Sequence, residues 1–184
     1  MSAFWTFSVK LYGKDGVKTA CLALQAAGMD VNVGLWIVWT VMNGRDPGPA
    51  LGQAVELSAL WSARVVKPLR MARDHLKHPF ADVDPDAATA LRQKVLTVEL
   101  EAEKLEQHGL ESLAQACPEN REARTTRALV LRRLHEYAAR CALRATVRPH
   151  LWKTFSRRAK MCNMGVLELK CAQARRFLRP RSFR

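Results

Sequence analysis

The stretch Asp30-Val31-Asn32-Val33-Gly34-Leu35-Trp36-Ile37-Val38-Trp39-Thr40-Val41-Met42 decides how the rest of the chain is read. Asp30 is a helix N-cap residue, and behind it residues 33–42 form the longest apolar run of the sequence, ten residues. A helix with almost no polar side must be surrounded, by other elements of its own fold or by a partner. It is too short to span a bilayer, which needs about 20 apolar residues. The expectation is a central core helix with other helices packed around it.

Working outward toward the N-terminus, Gly28 takes the position that ends a preceding helix, in which Val17, Cys21 and Leu24 share a face and Asp15 serves as the cap. Gly13 and Gly16 separate it from a first helix, capped by Ser2 and carrying Phe4, Phe7 and Leu11 inward. On the other side, Asn43, Gly44, Asp46, Pro47, Gly48 and Pro49 make a loop. A fourth helix then turns Leu51, Ala54, Val55, Ser58, Trp61 and Val65 inward. Pro68 kinks it or starts a new helix, along which Leu69, Ala72 and Leu76 continue the apolar face.

Asp84, Pro85 and Asp86 then read as N-cap, first-turn proline and first-turn acid. The helix they open carries Ala88, Leu91, Val95, Val98, Ala102 and Leu105 at alternating spacings of three and four, the seam of a coiled coil. That seam predicts an inward face with Glu99, Glu103 and Glu106 exposed, an end at Gly109, and a short turn over residues 110–116. Beyond Pro118, Val130, Leu134, Tyr137, Cys141 and Ala145 form one stripe, whose simplest partner is the preceding helix, antiparallel. Arg133, Arg140 and Arg144 flank it. Pro149 ends that helix, and after Gly165 an amphipathic stretch places Leu167, Cys171, Ala174 and Leu178 on one side. No strand-period segment or repeat appears. The fold class is therefore all-α: a single-domain bundle of about six to eight helices over residues 1–148, with an Arg-rich helical extension over residues 149–184.

Charge is distributed unevenly along this plan. The 184 residues carry a net +13, yet residues 1–60 hold 4 basic and 4 acidic side chains, residues 61–118 hold 8 and 9, and residues 119–184 hold 18 and 4. Fifteen of the last eighteen cations are Arg, the side chain suited to bidentate phosphate or carboxylate contacts and to stacking. Five widely spaced cysteines (Cys21, Cys117, Cys141, Cys162, Cys171) without C-x-x-C spacing indicate reduced core thiols, hence a reducing, cytoplasmic setting, and no zinc set. Residues 1–12 lack the basic start and small-residue cleavage site of a secretory signal.

Several of these residues form a recognisable series: Phe4-Trp5-Thr6-Phe7-Ser8, Leu11-Tyr12, Gly16-Val17, Ala20-Cys21-Leu22, Leu24-Gln25 and Gly28-Met29-Asp30-Val31-Asn32, then Trp61, Val65-Val66, Pro68-Leu69-Arg70 and the 99–103 stretch. Over roughly residues 3–116 the chain resembles a family of small uncharacterised proteobacterial proteins, domain of unknown function 2390. The resemblance implies a soluble bacterial protein. It transfers no activity, substrate or catalytic residue, and the basic third lies outside it.

Candidate sites are few. Gln25, Asp30 and Asn32 either cap and satisfy a tight turn or line a pocket or partner notch beside Trp36, Trp39 and Trp61. A helix-turn-helix reading of residues 20–39 fails because the second helix has no polar face for base edges. His75 and His78, near Asp74 and Asp82, are at most half a metal site. Gly13-Lys14-Asp15-Gly16 is too short for a phosphate loop. No nucleophile, paired-carboxylate or phosphate-cradling motif is present, so neither catalysis nor a cofactor is expected. The basic third points to a polyanion, with Arg148, Arg157, Arg158, Lys160, Arg175, Arg176, Arg179 and Arg181 on phosphates and Trp152 and Phe155 stacking on bases. RNA or a ribonucleoprotein is the leading partner; an anionic membrane surface, met by a basic amphipathic helix, and an acidic protein are the alternatives.

Overall fold

The computed structural model describes residues 2–26, 28–78, 81–120 and 126–141. Among them there is no strand, and the expected all-α class is observed. Helix α1 spans Ala3–Tyr12, α2 Val17–Ala26, α3 Val31–Met42, α4 Leu51–Trp61, α5 Lys67–His75, α6 Pro85–Gln115 and α7 Thr126–Arg140. A π-helical segment, Ser62–Val66, runs α4 directly into α5, with Pro68 in the first turn of α5. Counted as one rod joined through the π-helical segment, α4 and α5 leave six helices among the described residues. No described helix is long and apolar enough to cross a membrane.

Helix α3 is the centre. Nine of its twelve residues are buried, and it touches α1, α2, α4, α6 and α7. Its start is set by the Asp30 carboxylate, which accepts from the Asn32 backbone N–H at 2.8 Å. Trp36 and Ile37 are fully buried, and Trp39 packs against Phe4 of α1 with ring centroids 5.2 Å apart. Ser2 caps α1 by accepting from Trp5 N at 3.1 Å, and Gly28 ends α2 at φ 82°. The cap of α2 differs from expectation. Ala20 N bonds Gly16 O at 3.0 Å, which puts Gly16 in the cap position and leaves Asp15 exposed.

The long helix α6 departs furthest from its sequence pattern. It does not end at Gly109 but runs on to Gln115. Gly109 serves a contact: a Cβ there would lie 3.3 Å from Leu57 Cδ1 of α4, so its absence lets the two helices approach. The face turned inward carries Ala88, Glu99, Ala102, Glu106, Gln107, Leu110 and Ala114. Leu91, Val98 and Leu105 of the coiled-coil seam are instead 50, 48 and 62% exposed. Charge pairing with α5 and close packing with α4 select this register over the more apolar one.

Helix α7 also corrects an expectation. It packs on α3 rather than on α6, burying Val130, Leu134 and Tyr137. The segment linking α6 to α7 runs beside the loop after α3: Asp46 N donates to Pro118 O at 2.9 Å and Asn120 N to Gly44 O at 2.7 Å. Arg45 Nη1 donates to Cys117 O at 2.6 Å. These bonds turn the chain toward α3 and away from α6.

Candidate functional site

Five helices bring polar side chains together at the start of α3. Asn32, in its first turn, donates through Nδ2 to Glu106 Oε2 of α6 at 2.9 Å and accepts at Oδ1 from Gln107 Nε2 at 2.8 Å. The other Glu106 oxygen accepts the Ser58 hydroxyl proton from α4. From α7, the Tyr137 hydroxyl accepts from Asp30 N at 2.9 Å and donates to Asp30 O at 3.2 Å. One and two turns earlier on α6, Arg70 of α5 donates to Glu103 Oε1 at 2.6 Å and to Glu99 Oε1 at 2.8 Å, and Arg73 lies 3.1 Å from Glu99 Oε2. Trp61 Nε1 donates to Ala102 O at 3.0 Å.

Burial and crowding of like charges govern the electrostatics. Glu106 is 2% exposed. Burial first, then the nearby Asp30 charge, push its carboxyl up to about 7 against the hydrogen bonds from Ser58 and Asn32. Burial also raises Asp30, opposed by the backbone N–H groups of Asn32 and Val33 and by the Arg70 charge. Glu103 is raised by burial, with Arg70 working the other way. Tyr137 is raised by burial and by Cys141 and Asp30. Glu99 and Glu103 face Arg70 and Arg73, whereas Glu106, without a cation against it among the described residues, holds a proton near neutrality.

The expected notch is thus only partly assembled. Asp30, Asn32 and Trp61 join the network, and Trp36 is buried with its Nε1 lacking a hydrogen-bond partner among the described residues. Trp39 faces Phe4 instead, and Gln25 is exposed. Glu99, Glu103, Glu106, Gln107, Ser58, Arg70 and Tyr137 were not anticipated there. The carboxylates at spacings of four and three on α6 could have signalled an inward polar face, given Arg70 and Arg73 at matching spacing on α5. What this arrangement does chemically is close-packed: it ties helices together and stores one titratable proton.

A shallow hollow of about 290 Å³ is lined by Asp74, His75 and His78. His75 Nδ1 is 2.7 Å from Met71 O, and Asp74 pairs with Lys77 at 2.7 Å, so both of these side chains are already engaged. Among the described residues no group of three or more His, Cys, Asp or Glu could hold a metal ion. Cys21 and Cys117 are buried thiols.

Of the cations in the basic third, Arg133 is neutralised inside the fold. Its Nε and Nη2 grip both Asp46 oxygens at 2.7 and 2.6 Å, and Nη1 meets Glu136 at 2.6 Å. Gly48 makes room for it, since a Cβ there would collide with the guanidinium. Burial draws the Asp46 carboxyl upward, but the Arg133 hydrogen bonds and charge overcome it and hold the carboxyl below its ordinary value. Among the described residues, Glu99 and Glu103 are paired by Arg70 and Arg73 of α5 and not by arginines of α7. Arg148, Trp152, Phe155, Arg157, Arg158, Lys160, Arg175, Arg176, Arg179 and Arg181 lie outside the described residues.

No curated protein and no solved structure matches the chain. The profile of a family described as "Protein of unknown function (DUF2390)" matches residues 3–110, a span holding α1 to α5 and the polar centre of α6. With more than half of its length matched, the chain belongs to that family.

Proposed function

We propose that this protein is a non-enzymatic, bacterial cytoplasmic interaction protein: a helical body that carries an Arg-rich segment for contact with RNA or a ribonucleoprotein. The observation that carries the reading is where the charge lies once the ion pairs of the body are assigned. Residues 142–184 hold 12 basic side chains and one acidic one, whereas residues 1–141 hold 18 and 16. Arg70, Arg73 and Arg133 of the body are paired with carboxylates. One anion cannot neutralise twelve cations within that span, and a solvated face ordinarily mixes signs. Arg predominance with Trp152, Phe155 and Phe177 interspersed suits phosphates and stacked single-stranded bases.

The test is binding of the full chain to a fluorescent single-stranded RNA, followed by anisotropy across a salt series. With about six phosphates neutralised, affinity falls roughly 300-fold between 50 and 200 mM salt. Reversing Arg157 and Arg158, or Arg175 and Arg176, to Glu flattens that slope and weakens binding at every sequence tested. A flat salt dependence overturns the reading. So does binding to anionic vesicles with none to RNA, which would assign the same cations to a membrane surface.

A further inference from the structure

One flank of α6, about 100° around the helix from its buried face, carries an apolar strip with no cover among the described residues. Leu91, Val98 and Leu105 recur every seven residues, so they drift by only about 20° per heptad and line up along the helix. They are 50, 48 and 62% exposed. Behind them Val95 is half-buried and Ala102 is buried against the body, so the helix is rigidly held with this edge outward. On α4, Leu57 abuts Gly109 and Trp61 bonds Ala102 O, which holds this stretch of α6 against the body.

Charged residues beside the strip say what fits it. Lys94 and Glu101 are exposed on the outer edge of α6, and neither has an ion-pair partner among the described residues. They are placed almost symmetrically about Val98. A second α6 laid antiparallel with its two-fold axis at Val98 sets Leu91 against the partner's Leu105, and Val98 against the partner's Val98. Lys94 then comes within one residue of register of the partner's Glu101, and Glu101 of the partner's Lys94. A parallel pairing would instead oppose Lys94 to the partner's Lys94 and Glu101 to the partner's Glu101, which is repulsive. The strip is self-complementary in shape and in charge only in the antiparallel sense, as an isologous interface requires.

We infer that this strip is a homodimer interface in which α6 pairs antiparallel with α6 of a second copy about Val98. The occupant is the chain itself, and the strip lies about 100° around α6 from the buried Glu99 and Glu106, on the flank beside α4. The apolar strip is short, which sets a weak, reversible dimer with dissociation in the micromolar range.

The experiment is sedimentation velocity on the full, nuclease-treated chain under reducing conditions from about 1 to 200 µM, a range that brackets such a midpoint. The wild type passes from monomer to dimer. Val98→Glu, at a half-exposed position that folding does not need, remains monomeric throughout with an unchanged helical signal and melting temperature. Lys94→Glu or Glu101→Lys alone each shift the midpoint upward about 5-fold, the scale of an exposed ion pair at an interface. The double exchange Lys94→Glu with Glu101→Lys returns it toward wild type, a rescue that a parallel arrangement cannot produce. A chain that stays monomeric at every concentration overturns the inference. Dimerisation untouched by Val98→Glu, or a double exchange no better than the singles, does so as well.

Discussion

Glu106 is the residue at which burial and chemistry conflict most. Its carboxyl is raised from 4.5 to about 7, so the folded state binds the proton more tightly than the unfolded chain does. The stability this contributes is fully present below about pH 4.5 and is lost as pH rises through about 7, a difference of about 3 kcal/mol at its limit. Glu106→Gln mimics the protonated form, accepting from Asn32 and donating to Ser58. Urea titrations between pH 4.5 and 8 will show wild-type stability declining with pH across that window and the variant nearly flat, and more stable at pH 8. Asp46 titrates in the opposite sense: its lowered carboxyl contributes stability above its ordinary value near 3.8, lost on further acidification. The two effects occupy separate pH ranges and can be read in one series. Arg133→Ala, which unpairs Asp46, costs roughly 2 kcal/mol in the same titration at pH 7.

At the scale of elements, α6 shows how a helix can be legible in extent and misleading in orientation. Asp84, Pro85 and Asp86 mark its start in the sequence, and the structure places the cap there, with Asp84 accepting from Asp86 N at 3.0 Å. Asp84→Ala is expected to lower stability by about 1 kcal/mol in thermal or chemical unfolding, whereas Asp86→Ala changes it by a few tenths. The inward face was not legible, because the heptad of Leu91, Val98 and Leu105 competes with the stripe running through Glu99, Glu106 and Leu110. Local apolarity favours the first. Arg70, Arg73, Ser58 and Asn32 come from three other helices, and together they favour the second by satisfying carboxylates that would otherwise be buried without partners.

At the scale of the whole molecule, the decisive contact joins residues 107 positions apart: Tyr137 of α7 with the backbone of Asp30 at the start of α3. Tyr137→Phe leaves the Asp30 N–H and C=O without that partner in a buried place, and is expected to cost about 1–3 kcal/mol by chemical unfolding. The loss should weaken amide protection in α7 ahead of α1, since α7 is docked mainly on α3. The charge asymmetry is sharper at this scale than along the chain. The basic third begins inside the folded body, where Arg133 is consumed by Asp46 and Glu136, and the excess lies in residues 142–184.

By itself the sequence determined the all-α class, the caps at Ser2, Asp30 and Asp84, the break at Gly28, the new helix start at Pro68 and the central place of residues 31–42. Each of these follows from chemistry acting over one or two turns: a side-chain oxygen on a backbone N–H, a missing N–H, a missing Cβ, or a helix with no face fit for water. Only the tertiary structure decided which side of α6 turns inward, that α7 docks on α3, and that Asn32, Ser58, Glu106 and Tyr137 share one network. Those outcomes depend on hydrogen-bond partners supplied from distant parts of the chain. A buried carboxylate is stable only where such partners converge, and no local pattern records where that will be.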